Sequence, residues 1–376
     1  MASGQRPCGI PITPSTGVSD VPSETLLIIG GGPAGLEAAR GAADLGCKTI
    51  LVERLSRLGG TPISASYAAL THGMRDAEEV MGEMITAVSG DPLVDIRVNT
   101  SVTACRGEAG DFTVTLTRDG TDEPVAAGAI IVATGFDHFD PGRANQQYGY
   151  YMYDDVLVLQ DVEKMLKEKR FVRPSTGKPP ERVCFIQCVG SRDRHIGNEY
   201  CSKVCCGIAS KQAIEIRRLL PDCRVFIFYI DMRMYGYWEN EIYWPAQETH
   251  KVSYIKGVIS EIVMKGDRLM IRGEDTTMNR PMEVPMDIVI LSNGMEPSGG
   301  TKAIAKTLGL RQNTYGFIDV AHDTLDPVST SVPGVFVAGA AAGPKDLDDT
   351  MGMAGAATMK AVGGIRRLAR GAANKA

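Results

Sequence analysis

Residues 25–35 read Thr-Leu-Leu-Ile-Ile-Gly-Gly-Gly-Pro-Ala-Gly, and this stretch sets the fold class. A short apolar run precedes the spacing Gly30-x-Gly32-x-x-Gly35, and an apolar helical repeat follows as far as Gly46. This order predicts the buried strand, tight turn and helix of a dinucleotide-binding βαβ unit. Gly30 would permit the turn, Gly32 would let the backbone approach a pyrophosphate, and Gly35 would let helix and strand pack closely.

Later elements favour FAD as the dinucleotide rather than NAD. The second strand, at residues 48–52, ends at Glu53, which would accept hydrogen bonds from ribose hydroxyls. A second glycine turn follows, and the segments 133–135 and 335–339 would return the chain to the cofactor. Together these elements resemble the two-dinucleotide flavoprotein superfamily that includes thioredoxin reductase and glutathione reductase. The residues predicted to bind FAD are Gly30, Gly32, Pro33, Ala34, Gly35, Glu53, Arg54, Gly59, Gly60, Thr61, Val102, Ala133, Thr134, Gly135, Gly339, Asp346, Thr350 and Met351.

The chain departs from that superfamily after Gly339. An acidic residue normally follows this glycine and holds the ribityl chain, but here Ala340 follows, and the nearest acid is Asp346. The segment 348–352 precedes the predicted last helix, which we expect to begin at Ala354. Its N–H groups would face the pyrimidine edge of the flavin, and an ordinary helix cap is the alternative.

Four cysteines lie within 19 residues: Cys188, Cys201, Cys205 and Cys206. A strand-like run at 182–187 leads into them, and a predicted helix from Cys201 leads out, so Cys201 and Cys205 would share one helical face. Soft thiolates in one place favour an iron–sulfur cluster. Structural zinc and simple burial are the alternatives. The cations that would favour thiolates are Arg192, Arg194, His195 and Lys203.

The predicted fold is α/β, with two Rossmann-like (thioredoxin-reductase-like) domains, the second inserted in the first. The second unit lacks a glycine fingerprint after its first strand, and the chain contains no Cys-x-x-Cys, so a nicotinamide site and a flavin dithiol are both disfavoured. The predicted divisions are an N-terminal arm at 1–23, an FAD-binding domain at 24–145 and 284–370, an inserted degenerate NAD(P)-like domain carrying the cysteines at 146–283, and a tail at 371–376.

Composition limits the class of protein. The 376 residues carry a net charge of −5 at pH 7, which argues against nucleic acid as a main partner. No apolar run reaches the roughly 18–20 residues of a membrane span, and no signal sequence is recognisable, so we expect a cytoplasmic protein. Nine cysteines is an odd number, and in a reducing compartment clustered cysteines indicate metal or redox chemistry.

Several segments closely resemble the HdrA family, the A-type subunits of heterodisulfide reductases. They are Cys188-Val-Gly-Ser-Arg-Asp, Tyr200-Cys-Ser-Lys-Val-Cys-Cys206, Lys211-Gln-Ala, Tyr229-Ile-Asp-Met-Arg and Gly343-Pro-Lys-Asp. The resemblance implies FAD, a [4Fe–4S] cluster on the four cysteines, a multisubunit complex, and Lys211 near the flavin N5; a solvent-facing lysine is the alternative. The short form resembles the HdrA-like protein of sulfur-oxidising bacteria, which implies a lipoate-binding protein as a further partner. The superfamily implies a homodimer.

We therefore expect an electron-transfer flavoprotein subunit that passes electrons between cluster and flavin, and on to NAD or another carrier. Lys211 is the candidate catalytic residue. A stand-alone NAD(P)H-dependent disulfide oxidoreductase is the alternative from a different class. An assembly protein with structural zinc is a third.

Overall fold

The computed structural model describes residues 22–70, 73–143 and 148–374, so most of the predicted N-terminal arm, with Cys8, lies outside the described residues. The strands are, in chain order, β1 Leu26–Ile29, β2 Thr49–Val52, β3 Val94–Arg97, β4 Ser101–Glu108, β5 Asp111–Arg118, β6 Thr121–Ala127, β7 Ala129–Val132, β8 Phe136–His138, β9 Val156–Val158, β10 Arg182–Val189, β11 Arg224–Tyr229, β12 Ser253–Lys265, β13 Arg268–Asp275, β14 Arg280–Met286, β15 Ile288–Asn293, β16 Met295–Pro297 and β17 Val335–Val337. The helices are α1 Pro33–Asp44, α2 Gly60–Ser64, α3 Ala77–Ser89, α4 Leu159–Lys167, α5 Cys205–Leu219, α6 Trp244–Glu248, α7 Gly299–Leu308 and α8 Leu347–Ala373.

The first unit is built on a parallel sheet with the strand order β17-β7-β1-β2-β3. Its central strand β1 is apolar at every position because α1 and α8 cover one face while β5 and α7 cover the other. Leu26, Leu27 and Ile28 are wholly buried, which stabilises the fold by about 1.5–3 kcal/mol for each side chain. Strands β4, β5 and β6 form a separate antiparallel sheet.

The second unit is built on a sheet with the order β14-β13-β12-β11-β10-β15-β9. The strands from β12 to β9 are parallel, and β13 and β14 extend the sheet in antiparallel fashion. Helices α4, α5 and α6 pack on one face. One parallel sheet and one sheet with a parallel core of five strands agree with the predicted pair of Rossmann-like domains, the second inserted in the first.

Several predicted boundaries need correction. Strand β15 pairs with β10 and β9 in the second sheet, so the inserted unit continues to residue 293 rather than ending at 283. Helix α8 runs from Leu347 to Ala373, so it begins before Ala354 and includes the start of the predicted tail. Strands β3 and β7 both pair in parallel within the sheet of the first unit.

A short antiparallel ribbon connects the two units. Strand β8 leaves the first unit and pairs with β16, which returns from the second. At its end, the Phe139 amide donates to the Gly294 carbonyl at 2.8 Å, and the Asn293 side-chain amide donates to the Phe139 carbonyl at 2.9 Å. This ribbon places α4 and α5 of the second unit opposite the turn that follows β1.

Candidate functional site: a cavity between the two units

A cavity of about 530 Å³ lies between the two units. The first unit contributes the turn after β1, the ends of β2 and β7, and the first turn of α8. The second unit contributes one face of α5 and a carboxylate of α4. The lining includes these residues singled out from the sequence: Gly30, Gly32, Pro33, Ala34, Glu53, Arg54, Gly60, Thr61, Val102, Ala133, Thr134, Gly135, Lys211, Asp346 and Thr350.

Four predicted cofactor residues, Gly35, Gly59, Gly339 and Met351, are not part of this lining. Three of them shape the backbone behind it. A Cβ on Gly35 would lie 1.8 Å from the Gly30 carbonyl oxygen, and Gly59 and Gly339 have φ values of 108° and 66°. Met351 lies in α8 beyond the lining residue Thr350, and the structure gives it no role in the cavity.

The turn that contains Gly30 and Gly32, called the glycine cradle below, leaves a space into which a dinucleotide phosphate fits. Gly30 has a φ of 114°, and a Cβ there would lie 2.3 Å from the Ala133 carbonyl oxygen. Gly32 caps α1 without a side-chain hydrogen bond, so the first N–H groups of the helix are left for a ligand. The nearest atom to a Cβ on Gly32 is the Gly60 Cα at 3.5 Å, so the cradle is open at this point.

Glu53 holds the cradle from the end of β2. Its Oε2 accepts a hydrogen bond from the Gly31 amide at 2.7 Å, and its Oε1 accepts one from the Leu55 amide at 2.8 Å. The side chain lines the cavity, although the residue is mostly buried. A carboxylate has about four acceptor positions, so two remain for ribose hydroxyls.

The first turn of α8 faces the same cavity. Asp346 caps this helix by accepting a hydrogen bond from the Asp349 amide at 2.7 Å. The predicted alternative of an ordinary helix cap is therefore present, and Asp346, Leu347 and Thr350 also line the cavity. The methyl group of Ala340 lines the cavity too but cannot accept a hydrogen bond, so the carboxylate on this side is that of Asp346.

Lys211 is buried rather than solvent-facing, with 1% of its surface exposed. Its ammonium donates to Glu163 Oε1 at 2.5 Å and to the Ala69 carbonyl at 2.8 Å, and Glu215 lies 3.5 Å away. Gln212 donates to the same oxygen of Glu163 at 2.7 Å. Burial raises the pKa of Glu215, and the charge of Lys211 opposes this rise.

Glu163 is the residue that sequence reasoning missed. It belongs to the buried face of α4, together with Leu159, Val162 and Leu166. A carboxylate within an apolar stripe at helical spacing is a recognisable signal, because a charged side chain is rarely buried unless it is paired.

A tyrosine–histidine pair lies beside this ion pair on the cavity wall. The Tyr67 hydroxyl is 3.1 Å from His138 Nε2. Burial lowers the pKa of His138 to about 4, so its imidazole is neutral at pH 7. Burial, and then the charge of Glu163, raise the pKa of Tyr67, so it stays protonated.

The four predicted cysteines are neighbours at the carboxyl end of β10. Cys188 is the last but one residue of that strand and has a φ of 64°, and Cys205 and Cys206 begin α5. Burial raises the pKa of Cys205 well above its ordinary value, and the other three sulfurs add to the rise. Burial raises the pKa of Cys206 to about 11.

Cations and a backbone amide border these thiols. Arg192 Nη1 is 3.9 Å from the Cys188 sulfur and opposes the rise in its pKa that burial causes. The Lys203 amide donates to the Cys201 sulfur at 3.3 Å. Cys201 lies before α5, not on it, so the prediction that it shares a helical face with Cys205 is wrong.

Thiol sulfurs are suitable donors for an iron–sulfur cluster. In the structure, however, the four thiols are not grouped as closely as the ligands of a bound metal ion. No three His, Cys, Asp or Glu side chains of the described residues are grouped closely enough to hold a metal ion as they stand. Metal binding requires thiolates, so binding at these buried thiols would release protons and draw the sulfurs together.

Two Rossmann-like units around a glycine cradle define a flavoprotein oxidoreductase of the two-dinucleotide class. Residues 24–361 match the family described as pyridine nucleotide-disulphide oxidoreductase. The chain belongs to this family.

Two relatives confirm the resemblance to the HdrA family. The A-type subunit of the H(2)/formate:CoB-CoM heterodisulfide,ferredoxin reductase of Methanococcus maripaludis is 40% identical over 246 residues, which cover 63% of this chain and 37% of the relative. The iron-sulfur A-type subunit of the CoB–CoM heterodisulfide reductase of Methanocaldococcus jannaschii is 31% identical over 426 residues, covering 90% of this chain and 64% of the relative. The chain thus spans about one to two thirds of the length of these relatives.

Solved structures confirm the thioredoxin-reductase-like fold. Thioredoxin reductase from T. acidophilum superposes with a TM-score of 0.61 at 18% identity, covering 92% of this chain and 99% of that one. The Lactococcus lactis thioredoxin reductase gives a TM-score of 0.60 at 19% identity, covering 93% and 100%. Among the helices of the described residues, none is both long and apolar enough to cross a bilayer.

The cradle generates the first prediction. The backbone of Gly32, with a φ of −81°, accepts any residue, so Gly32→Leu should fold while its side chain fills the cradle. We expect FAD affinity to fall at least tenfold, or by about 1.4 kcal/mol, in a fluorescence titration. Gly82→Leu is the matched control, because a Cβ there meets nothing within 4 Å. Unchanged FAD affinity in Gly32→Leu would contradict the assignment of the cradle.

The buried ion pair between Lys211 and Glu163 generates the second prediction. Lys211→Met leaves Glu163 buried without its cation, which should lower the free energy of unfolding by about 3–5 kcal/mol. Adding Glu163→Gln removes the unpaired charge, so the double variant should regain at least about 1 kcal/mol in denaturant titrations. Lys164→Met, on an exposed face of α4, should change stability by less than about 0.5 kcal/mol. Strictly additive effects of the two substitutions would contradict the coupling.

The burial of His138 generates the third prediction. Its pKa in the fold is below its ordinary value of 6.5, so the unfolded chain binds a proton first as the pH falls. The stability that neutral His138 contributes is complete above pH 6.5 and is lost as the pH falls towards 4. Between pH 7.5 and 5 the chain should lose about 2 kcal/mol more than the His138→Gln variant. Equal losses in denaturant titrations at the two pH values would show that His138 titrates normally.

Proposed function

We propose that this chain is the FAD- and [4Fe–4S]-containing electron-transfer subunit of a heterodisulfide reductase-like complex. The observation that carries the proposal is the position of α5. Cys205 and Cys206 begin this helix, and Lys211, two turns further on, lines the cavity that the glycine cradle opens into. One helix therefore joins the thiols to the cavity.

In this proposal the first unit binds FAD. The cradle residues and the amino end of α1 would hold the pyrophosphate, Glu53 the adenosine ribose, and Asp346 the ribityl chain. Lys211 would present its ammonium to the ring, where a fixed cation favours the reduced flavin. FAD, when bound, supplies a centre that accepts and donates one or two electrons.

Cys188, Cys201, Cys205 and Cys206 would hold the cluster, which supplies one-electron transfer when bound. Arg192 next to Cys188 would favour the thiolate form and partly neutralise a net negative cluster. The chain's own contribution is to fix four sulfurs at the carboxyl end of β10, where a nicotinamide-binding unit has its phosphate loop.

The alternative, a stand-alone NAD(P)H-dependent disulfide oxidoreductase, needs a redox dithiol at the flavin cavity. Among the described residues, no cysteine lines that cavity. The position of the nicotinamide phosphate loop after β10 is occupied by the cysteine segment. Both observations favour the electron-transfer role.

The proposal extends to the setting of the complex. The two relatives are named as subunits of heterodisulfide reductases, so partner subunits would carry the substrate chemistry. Sulfur-compound oxidation, NAD or another carrier as acceptor, a lipoate-binding protein reached through the complex, a homodimer and a cytoplasmic location follow from the resemblance. The proposed division into domains follows the sheets, with the inserted unit ending at residue 293.

Anaerobic purification with iron, sulfide and FAD quantitation tests this function. The wild-type chain should hold one FAD and about four iron atoms, and Cys205→Ala should lose the iron while keeping FAD. Cys223→Ala is the matched control, because Cys223 is also buried but lies outside the set of four, and it should keep both. An iron-free wild-type protein, or full iron content in Cys205→Ala, would refute the cluster assignment.

A further inference from the structure

Lys203 contacts both the cysteine segment and Asp346, a residue of the cavity wall. Its backbone amide donates to the Cys201 sulfur at 3.3 Å, and its carbonyl accepts from the Tyr235 hydroxyl at 3.4 Å. The residue has a φ of 66°, in the left-handed region that non-glycine residues rarely occupy. A conformation of this kind persists only where the surroundings hold it, which makes the position a candidate for a functional constraint.

The side chain of Lys203 reaches the other site. Its ammonium contacts Asp349 and lies 3.0 Å from Asp346 Oδ2. Asp346 uses its other oxygen to cap α8 and lines the cavity, so the lysine holds the carboxylates at the point where α8 begins. These groups are better shielded than an ordinary surface pair, with side-chain exposures of 28% for Lys203 and 9% for Asp346.

We propose that Lys203 is a positioning residue that couples the thiol site to the FAD site. When the four sulfurs are gathered round a cluster, the Cys201 segment and the backbone of Lys203 are fixed, and the ammonium then holds Asp346 and the first turn of α8 in place for FAD. This inference rests on the proposed function, because it requires both cofactors. The coupling is reciprocal, so FAD also favours cluster retention by the same factor.

A simple surface ion pair would behave differently. Pairs of that kind contribute little to stability and do not transmit binding between sites. The pair between Lys360 and Asp326 provides the comparison, since Lys360 lies on the same helix α8 and binds an aspartate at 2.7 Å, but neither residue lines the cavity. Removing that pair should leave both sites unaffected.

The test measures the dissociation constant of FAD by fluorescence titration in cluster-loaded and cluster-free protein. In the wild-type chain the cluster should tighten FAD binding at least fivefold. We call the dissociation constant of FAD in cluster-free protein divided by that in cluster-loaded protein the coupling ratio. In Lys203→Met this ratio should fall to within twofold of one, while each cofactor still binds. Lys203→Arg, which keeps the charge, should restore a ratio above threefold, and the control Lys360→Met should give the wild-type ratio. The flavin midpoint potential, measured in the same samples, should lose its dependence on the cluster in Lys203→Met alone.

The outcomes separate this inference from the function on which it rests. A wild-type chain that takes up no FAD or no iron would overturn the proposed function and the coupling with it. A chain that binds both, with the same ratio in wild type and Lys203→Met, would overturn the coupling alone. If Lys203→Met does not fold, Asp349→Asn is the second variant, because it removes a carboxylate of the same contact. It should bring the ratio of the two FAD dissociation constants close to one. A wild-type ratio in Asp349→Asn would equally refute the proposal.

Discussion

Lys211 carries a charge but has almost no exposed surface. The position of the cavity wall depends on the groups that balance this charge. Its acceptors come from both units, because Ala69 belongs to the first and Glu163 to the second. The other carboxylate oxygen of Glu163 accepts from the Ala68 amide at 2.9 Å. The ammonium and the carboxylate therefore bind adjacent backbone groups of the same segment. This contact fixes the distance between α5 and the wall formed by the first unit.

Such a pair provides position more than stability. The cost of removing two charges from water largely offsets their attraction, so the net contribution of a buried pair to stability is small. Apolar replacements of the same volume would leave the Ala68 amide and the Ala69 carbonyl without their partners. Both backbone groups need polar side chains from the second unit, which explains why charged residues occupy this interface. The cavity wall consequently includes a lysine of the second unit whose charge is balanced and whose position is fixed.

The first βαβ unit was predictable because each of its steps is local. Buried strand, glycine spacing and helical repeat follow one another within about twenty residues, and each has a physical requirement that its sequence shows. The membership of β15 was not predictable in this way. Its run of buried apolar residues suits either parallel sheet, and the choice depends on pairing with β10, about a hundred residues earlier in the chain. The same holds for Glu163, whose partner Lys211 is 48 residues away.

The cysteine segment shows where spacing misleads. Cysteines four residues apart suggest one helical face, but the backbone of Lys203 is left-handed and α5 cannot extend through it. A lysine at position 203 gives no sequence signal for this left-handed conformation. The prediction that the four thiols lie near one another used both a helical face shared by Cys201 and Cys205 and the position of Cys188 at the end of a strand, and the structure contradicts the first of these two arguments. Position at a strand end was the better guide.

The cysteine segment occupies the place of a phosphate loop, and the same geometry explains how it can. The carboxyl ends of parallel strands form a crevice in which ligands of many kinds bind. A phosphate loop turns there on glycines, whereas here Cys188 and Gly190 both take positive φ values of 64° and 78°. A Cβ on Gly190 would lie 2.1 Å from the Phe139 ring, so the chain packs against its own connecting segment where a nucleotide would need open space. In the proposed function, this exchange would convert a site for a diffusing dinucleotide into one for a fixed group. A fixed group next to a flavin cavity suits electron transfer, because neither centre has to leave for the next electron to pass.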